Sequence, residues 1–388
     1  MKKTSFIILL ALTAGCKKEK LQNGPSAPEI KNTLVSLVYG GGSTSFVRRL
    51  TIDSSINPFS IRQTSDDKYL CTGNTYTNGT LSSFLMKLDS HGETIFVKTL
   101  PNSNYGAELE ATNDGCFIMA NTYNTINTAA NGQKWLPAEI IKINADGTEL
   151  WRKSYSSTYQ HKLTSVKQAT DGGLILAGLQ ENGYGFVIKT DASGNELWRT
   201  SYENFTITDV NPTGNNGIVL CGQRKTNSQQ LDAYLMYTNE TGSILWSKVL
   251  TEDENYYGSI AHCVTEVANG AIAVGGVSYL GQRSGFLRLF TPYDGIEMWN
   301  YNTDIHDTSG EFLGNVPLNI VPTHDGHLMF TDSRGYMRKM LISGTETFTR
   351  QVSYSDQVVS FSKTSDNGYV MIGGSSYIVL TKTDLNGN

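Results

Sequence analysis

Two short segments combine histidine and aspartate in a way that suits cation binding. Asp304, His306 and Asp307 lie in the segment YNTDIHDTSGEF, and two carboxylates with one imidazole are a ligand set that divalent metals accept. Residues 324–327 are His-Asp-Gly-His and could supply two more imidazoles. The first segment, however, has the composition of a polar surface loop, and the second occupies the place of an Asp-Gly-Gly turn that recurs along the chain. We therefore predict neither a metal ion nor a cofactor.

The cysteines show no motif for redox or metal chemistry. The chain has five, with no Cys-x-x-Cys pair and no Cys/His spacing typical of a zinc site. Cys71 and Cys221 lie at equivalent places in repeated apolar strands, where other copies have leucine, alanine or valine. This favours small buried hydrophobic residues. Disulfides that involve them, Cys116 or Cys263 are the alternative for an exported chain.

The remaining cysteine, Cys16, follows a processing signal. The chain begins with basic MKK and an apolar TSFIILLALTA segment, which is shorter than the roughly 20 apolar residues of a bilayer-spanning helix. It resembles a bacterial lipoprotein signal, in which the cysteine is lipidated and becomes the mature N-terminus. Ala14 and Gly15 match that signal, whereas Thr13 replaces its usual leucine. An ordinary secretory signal is the alternative.

These features predict three regions and a location. We expect a signal peptide over residues 1–15, a flexible polar tether over 16–33 and a folded body over 34–388. The lipid on Cys16 would anchor the protein to the outer membrane within the cell envelope. In lipoproteins of this type a charged run after the cysteine often accompanies display at the cell surface, and a periplasmic position is the alternative.

The composition favours an all-β body and excludes nucleic acid as a partner. The formal net charge is −5 and 17% of the residues are charged, so the chain lacks the basic patches that bind phosphate backbones. The 38 glycines and 20 tyrosines suit short strands joined by tight turns.

A unit of about fifty residues repeats along the chain. Its best copy is TSVKQATDGGLILAG, followed by KTDASGNELW. Each copy predicts four short strands, and a lone sheet of this kind would leave an apolar face exposed unless copies stack radially. The aspartates of the second turn, such as Asp191, are expected to bind the amides of their own turn. An aromatic residue recurs four places after the turn glycine in six copies: Phe96, Trp151, Trp198, Trp246, Trp299 and Phe348.

The two ends of the repeat array predict a closed ring. The chain stops after the KTDLNG turn of the seventh copy, before its aromatic strand. Residues 45–50 (SFVRRL) are similar to residues 95–100 (IFVKTL), so Phe46 would supply the seventh aromatic. We therefore predict a seven-bladed β-propeller of four-stranded antiparallel blades, closed by the N-terminal strand. Closure removes the exposed sheet edges.

The repeat resembles the bacterial propeller repeats of the quinoprotein-like (PQQ-type) superfamily. The resemblance covers about residues 45–388 and rests on the spacing of Asp191, Gly194 and Trp198. It implies the propeller fold and raises quinone-dependent oxidation as an activity. Quinoprotein dehydrogenases usually have eight blades, and many have adjacent cysteines, which this chain lacks. The aspartate-to-glycine gap also departs from the Asp-box of sialidases. No catalytic residue set follows from the sequence.

Loop lengths predict where a ligand would bind. In a four-stranded blade the 1–2 and 3–4 turns lie on one face of the ring, here called the short-turn face. The 2–3 and 4–1 connections lie on the other, here called the long-connection face. Long connections occur at residues 122–138, 251–257 and 302–314. They carry aromatic and polar residues that suit a sugar ring or a peptide: Tyr123, Asn124, Trp135, Tyr256, Tyr257, His306 and Asp307.

Two classes of function follow. The favoured hypothesis is a membrane-anchored, non-enzymatic binding module that recognises a glycan, a peptide or an envelope protein on the long-connection face. The alternative is a hydrolase or other enzyme whose active site lies at the channel mouth, where a ring of strands could present paired carboxylates. A third hypothesis is a scaffold subunit of an outer-membrane complex, which co-purification after mild crosslinking would distinguish from the first.

Overall fold

The computed structural model is almost entirely β-structure. In addition to the strands, a short 3-10 turn spans Ala268–Gly270. Among the described residues, no helix is long and apolar enough to cross a membrane. The structure describes residues 30–40, 43–52, 55–77, 80–100, 103–123, 127–128, 134–135, 138–155, 161–180, 182–225, 231–250, 258–280, 282–303, 305–306, 312–313, 316–352, 358–374 and 377–387.

Across the described part of the chain the strands form the predicted seven antiparallel blades, six of four strands and one, blade 7, with a fifth strand added at its outer edge. The N-terminal strands and blades 1 to 3 are β1 (Ile30–Gly40), β2 (Ser43–Ile52); β3 (Ser55–Gln63), β4 (Tyr69–Thr77), β5 (Thr80–Leu88), β6 (Thr94–Leu100); β7 (Ser103–Ala111), β8 (Phe117–Tyr123), β9 (Asn127–Thr128), β10 (Lys134–Trp135), β11 (Ala138–Ile143), β12 (Glu149–Tyr155); β13 (His161–Gln168), β14 (Leu174–Gln180), β15 (Gly185–Thr190) and β16 (Glu196–Tyr202). Blades 4 to 7 follow as β17 (Phe205–Pro212), β18 (Ile218–Lys225), β19 (Leu231–Thr238), β20 (Ile244–Val249); β21 (Ser259–Glu266), β22 (Ile272–Leu280), β23 (Gln282–Phe290), β24 (Glu297–Asn302); β25 (Ile305–His306), β26 (Phe312–Leu313); β27 (Pro317–Pro322), β28 (Leu328–Asp332), β29 (Tyr336–Met340), β30 (Glu346–Gln351); β31 (Val358–Lys363), β32 (Tyr369–Gly373) and β33 (Ile378–Thr383).

The tight turns of each blade are held by their own polar side chains. In the 3–4 turn of blade 3, Asp191 Oδ1 accepts hydrogen bonds from the amides of Ser193 (2.9 Å) and Asn195 (2.8 Å). Asp89 and Asp384 accept equivalent bonds in their own blades. The prediction that these aspartates bind the amides of their own turns is confirmed.

A second repeated contact ties the 1–2 turn to the third strand. Asp171 lies 2.7 Å from the Lys189 ammonium in blade 3, and Asp366 lies 2.8 Å from the Lys382 ammonium in blade 7. In blade 4 a hydrogen bond between neutral side chains takes the place of this ion pair. The Tyr237 hydroxyl donates to Asn215 Oδ1 over 2.7 Å. The lysine and aspartate of the repeat motif therefore serve the fold.

Each outer-strand aromatic packs on the 3–4 turn glycine of the next blade. A Cβ built on Gly194 would lie 2.8 Å from Trp151 Cη2, and one on Gly242 would lie 3.0 Å from Trp198 Cζ3. The same contact recurs around the ring. Its other pairs are Phe46 with Gly92, Phe96 with Gly147, Trp246 with Gly295, Trp299 with Gly344 and Phe348 with Gly387.

The N-terminal strand closes the ring, as predicted. Strand β2 pairs antiparallel with β33, from Phe46 opposite Lys382 to Leu50 opposite Ile378. The preceding segment forms β1, for which the sequence had suggested no role. It adds a fifth strand outside β2, with Gly40 opposite Ser43. Its first four residues overlap the segment that the sequence assigns to the tether.

Apolar clusters join neighbouring blades. Ile175 and Val187 of blade 3 meet Phe205 and Leu220 of blade 4 in one such cluster, and Phe46 joins blade 7 to blade 1 in another. Removal of this surface from water is the main stabilising contribution. Among the described cysteines, all are free thiols; Cys71, Cys221 and Cys263 are buried, and Cys116 is partly exposed.

Candidate functional site: the channel and the long-connection face

The first strand of every blade lines a central channel. The cavity has a volume of about 690 Å³, within the range of small-molecule pockets. Each inner strand has an irregularity in its register with strand 2, and in blades 3 and 4 this shift falls just before Ser165 and Asp209. Such bulges redirect side chains. The residues that follow the shift form one layer around the channel: Ser60, Glu108, Ser165, Asp209, Cys263, Asn319 and Ser360. All of them except Ser165, which donates its hydroxyl to Asp209, line the cavity.

This layer connects neighbouring blades through backbone amides. The amide of Val166 in blade 3 donates to Glu108 Oε2 of blade 2 over 2.7 Å. The amide of Val264 in blade 5 donates to Asp209 Oδ2 of blade 4 over 3.1 Å. The carboxylates therefore satisfy peptide groups that strand pairing within one blade cannot reach.

A charged network occupies the blade 1 to blade 4 side of the channel. Lys167 forms an ion pair with Glu108, and Arg62 Nη2 lies 3.9 Å from Glu108 and 3.7 Å from Glu110. Burial raises the pKa of Glu110, against the lowering effect of Lys167 and Arg62. Burial opposes the charge of Lys167, but the carboxylates of Glu108, Glu110 and Asp209 outweigh it and raise the pKa of that ammonium.

The opposite side of the channel is largely apolar. Ile320, Val359 and Phe361 lie along it. The ionised groups are thus confined to one arc, where each carboxylate already has a cation or an amide as its partner. This arrangement stabilises contacts between blades, and it differs from a pair of carboxylates placed on either side of a reacting bond.

The long-connection face carries two additional hairpins. Strands β9 and β10 pair within the 2–3 connection of blade 2, with Trp135 opposite Asn127. Strands β25 and β26 pair within the 4–1 connection before blade 6, with His306 opposite Phe312. Tyr123 ends β8 where this face begins. The sequence predicted loops at these places, and the structure gives part of each a defined backbone.

The other predicted ligand-binding residues are Asn124, Tyr256, Tyr257 and Asp307; they lie outside the described residues, as does Cys16. In the ranges given above, no group of three or more His, Cys, Asp or Glu residues could hold a metal ion.

Residues 324–327 form a 1–2 turn like those of the other blades. Asp325 lies 2.5 Å from the Lys339 ammonium. Its hydrogen bonds with Lys339 and Thr323 lower its pKa to about 2. The amide of Ile342 donates to His327 Nδ1 over 3.4 Å. These contacts account for the turn without a ligand.

Sequence reasoning missed the charged network of the channel. Its members lie two or four residues before the first residue of the 1–2 turn, as Arg62 does before Thr64 and Glu108 before Thr112. Charged residues at alternate positions of the first strand of a blade were the available signal. It was hidden because each residue pairs with another blade, as Glu108 does with Lys167, 59 positions away.

Comparisons with solved structures show the fold. A virginiamycin B lyase from Staphylococcus aureus, crystallised with quinupristin, matches with a TM-score of 0.56 and 14% identity, over 91% of this chain and 99% of the lyase. The WD40 β-propeller domain of Doa1 matches with a TM-score of 0.56 and 11% identity, over 91% and 97%. The Pan2 WD40 domain of Neurospora crassa has a TM-score of 0.53 and 8% identity, over 86% and 90%.

Sequence comparison gives the family. No curated protein matches the chain. The PQQ_2 family model, described as outer membrane protein assembly factor BamB, matches residues 138–362, which is more than half of the chain. This match agrees with the quinoprotein-like repeat seen in the sequence. The chain therefore belongs to the PQQ_2 family of BamB-like propellers.

Proposed function

We propose that the protein is a lipid-anchored, non-enzymatic interaction module of the cell envelope that binds a partner protein on its long-connection face. The observation that carries this proposal is the presence of two extra hairpins, β9–β10 and β25–β26, in connections that leave the ring on the same side. The compact turns of the other face have contacts that serve their own blade and its neighbour. An added hairpin enlarges a surface without contributing to the blade core.

Family membership supports a protein partner over a glycan. The family is described by an assembly factor of the outer membrane, and assembly requires contact with other polypeptides. The aromatic and polar residues expected on this face suit such contacts, because tryptophan and tyrosine are enriched among the few residues that dominate binding at protein interfaces. The signal at Cys16 agrees with an envelope location.

A site-specific photo-crosslinker tests the proposal directly. A benzoylphenylalanine at position 135 of the full chain, in cells that make the protein, should give a covalent adduct with a defined envelope protein. The same crosslinker at position 293 is the matched control. Tyr293 is an aromatic residue with 86% exposure, and it lies in the 3–4 turn of blade 5 on the opposite face.

The adduct should also depend on the face as a whole. A His306→Ala substitution in the crosslinking variant should reduce the yield, because β25 lies in the other added hairpin. Equal adduct yields from positions 135 and 293, or no protein adduct from position 135, would contradict the proposed binding face.

A further inference from the structure

The fifth strand of blade 7 determines which face of the ring the N-terminal tether leaves. In each blade the fourth strand runs from the short-turn face to the long-connection face. Strand β2 takes this place in blade 7, so Phe46 lies near the short-turn end and Leu50 near the long-connection end. Strand β1 runs back along β2, with Gly40 opposite Ser43 and Ile30 opposite Ile52. Ile30 therefore lies at the long-connection face, on the outer rim of blade 7.

We infer that the long-connection face is turned towards the membrane, so that its partner is a protein held in or at the same membrane. This inference rests on the lipid anchor of the proposed function. It goes further, because it assigns an orientation to the ring and a position to the partner.

The length of the tether supports this orientation. Fourteen residue steps separate Cys16 from Ile30. A flexible chain of that length has an average end-to-end distance of roughly 20 Å, and a fully extended one reaches about 50 Å. The two faces of the ring are about 20–30 Å apart, given strands of six to nine residues at 3.3 Å per residue. A ring with its short-turn face on the membrane would use about half of the extended length to pass its own height. That height equals or exceeds the average end-to-end distance of the tether.

The pairing of β1 with β2 fixes the point at which the tether leaves the ring. Its register with β2 extends over the whole strand, from Ile30 to Gly40, with one shift between Leu34 and Ser36. Detaching β1 would break this ladder and expose the edge of β2, which is unfavourable. The tether is therefore tied to the rim at Ile30 and does not begin at the far end of β1.

Paired labels on opposite faces of one blade test the orientation. The background is the lipidated full chain with Cys116→Ser, because the other described cysteines are buried. Asn182→Cys and Arg334→Cys place a fluorophore on exposed 2–3 turns of blades 3 and 6. Ser193→Cys and Ser343→Cys are matched controls on exposed 3–4 turns of the same blades. Each protein is reconstituted into phosphatidylcholine vesicles with a quencher on a fraction of the lipid headgroups.

Quenching should be at least about twofold stronger at positions 182 and 334 than at 193 and 343, because the faces differ by the length of a strand. A Cys16→Ser variant should show no quenching at any position. Equal quenching within both pairs, a reversed order, or failure of the full chain to bind vesicles would overturn the inference. The result is independent of the crosslinking experiment, since vesicles contain no partner protein.

Discussion

At the scale of single residues, the recurring contact is an aromatic ring against a turn glycine. Gly194 has a φ of +77°, which favours glycine, and it also lies against the Trp151 ring. Both parts of this contact could be predicted from sequence, because the repeat places the glycine and the aromatic at fixed spacing. Which aromatic residue contacts which glycine could not be predicted. The ring belongs to the preceding blade, and the sequence position of an aromatic residue does not indicate which neighbouring blade it contacts.

Alanine substitutions at two turn glycines separate the free-energy cost of a left-handed backbone from the free-energy cost of a steric clash. Gly194→Ala should lower the free energy of unfolding by about 2–4 kcal/mol, the sum of a left-handed backbone penalty and a clash with the ring. Gly115→Ala is the control, because Gly115 has a similar φ of +75° and nothing within 4 Å of the added Cβ. It should cost only about 1–2 kcal/mol. Chemical denaturation measures both; equal losses would show that the ring contact contributes nothing.

His161 gives a prediction about pH. Its imidazole is 2% exposed and packs edge-on against Phe186, with ring centroids 4.6 Å apart. Burial, helped by Arg199, lowers its pKa from 6.5 to about 4. The folded state therefore favours the neutral ring, and stability should fall as the pH drops from about 6.5 towards 4, by a few kcal/mol at most.

His161→Gln removes this titration. Denaturation at pH 7.5 and pH 5 should show a smaller loss of stability on acidification for His161→Gln than for the unsubstituted protein. A substitution of the exposed His91, His91→Gln, should behave like the unsubstituted protein. If the buried and the exposed substitution gave the same pH dependence, burial of His161 would not be the cause.

At the scale of elements, the inner strands are joined to one another by polar side chains. Lys167 and Glu108 are each less than a quarter exposed, and Glu108 also accepts the Val166 amide. The strands themselves could be predicted from their turns and apolar pattern. The ion pairs between inner strands of different blades could not be predicted, because they depend on how far each sheet is rotated relative to the next.

A double-mutant cycle measures the coupling between these two charges. Glu108→Gln and Lys167→Met should show a coupling energy of about 1–3 kcal/mol, because loss of one partner leaves a partly buried charge. Glu196→Gln with Arg199→Met is the matched control, since that pair lies 2.8 Å apart on the outer strand of blade 3. Its coupling should be below about 1 kcal/mol. If the coupling energy of Glu108 with Lys167 were no larger than that of Glu196 with Arg199, the network in the channel would not have the stabilising role described here.

At the scale of the whole molecule, the ring depends on the pairing of two strands that are more than 300 residues apart in the chain. The sequence predicted this closure because the final copy lacks an aromatic strand that the N-terminal segment can supply. It did not predict the fifth strand, since β1 lies outside the repeat and its pairing follows only from the position of β2. The orientation of the tether, and with it the proposed position of the partner, depends on this closure.

Disulfide trapping across the closing strands tests the closure most directly. Arg49 lies opposite Val379 in the register of β2 and β33, whereas Thr381 is opposite Val47. In a background with Cys16→Ser and Cys116→Ser, the Arg49→Cys/Val379→Cys protein should form an intramolecular disulfide under mild oxidation. The Arg49→Cys/Thr381→Cys protein should not, because its Cα atoms are too far apart. Failure of the first pair to crosslink, or equal crosslinking of both pairs, would contradict a ring closed by the N-terminal strand.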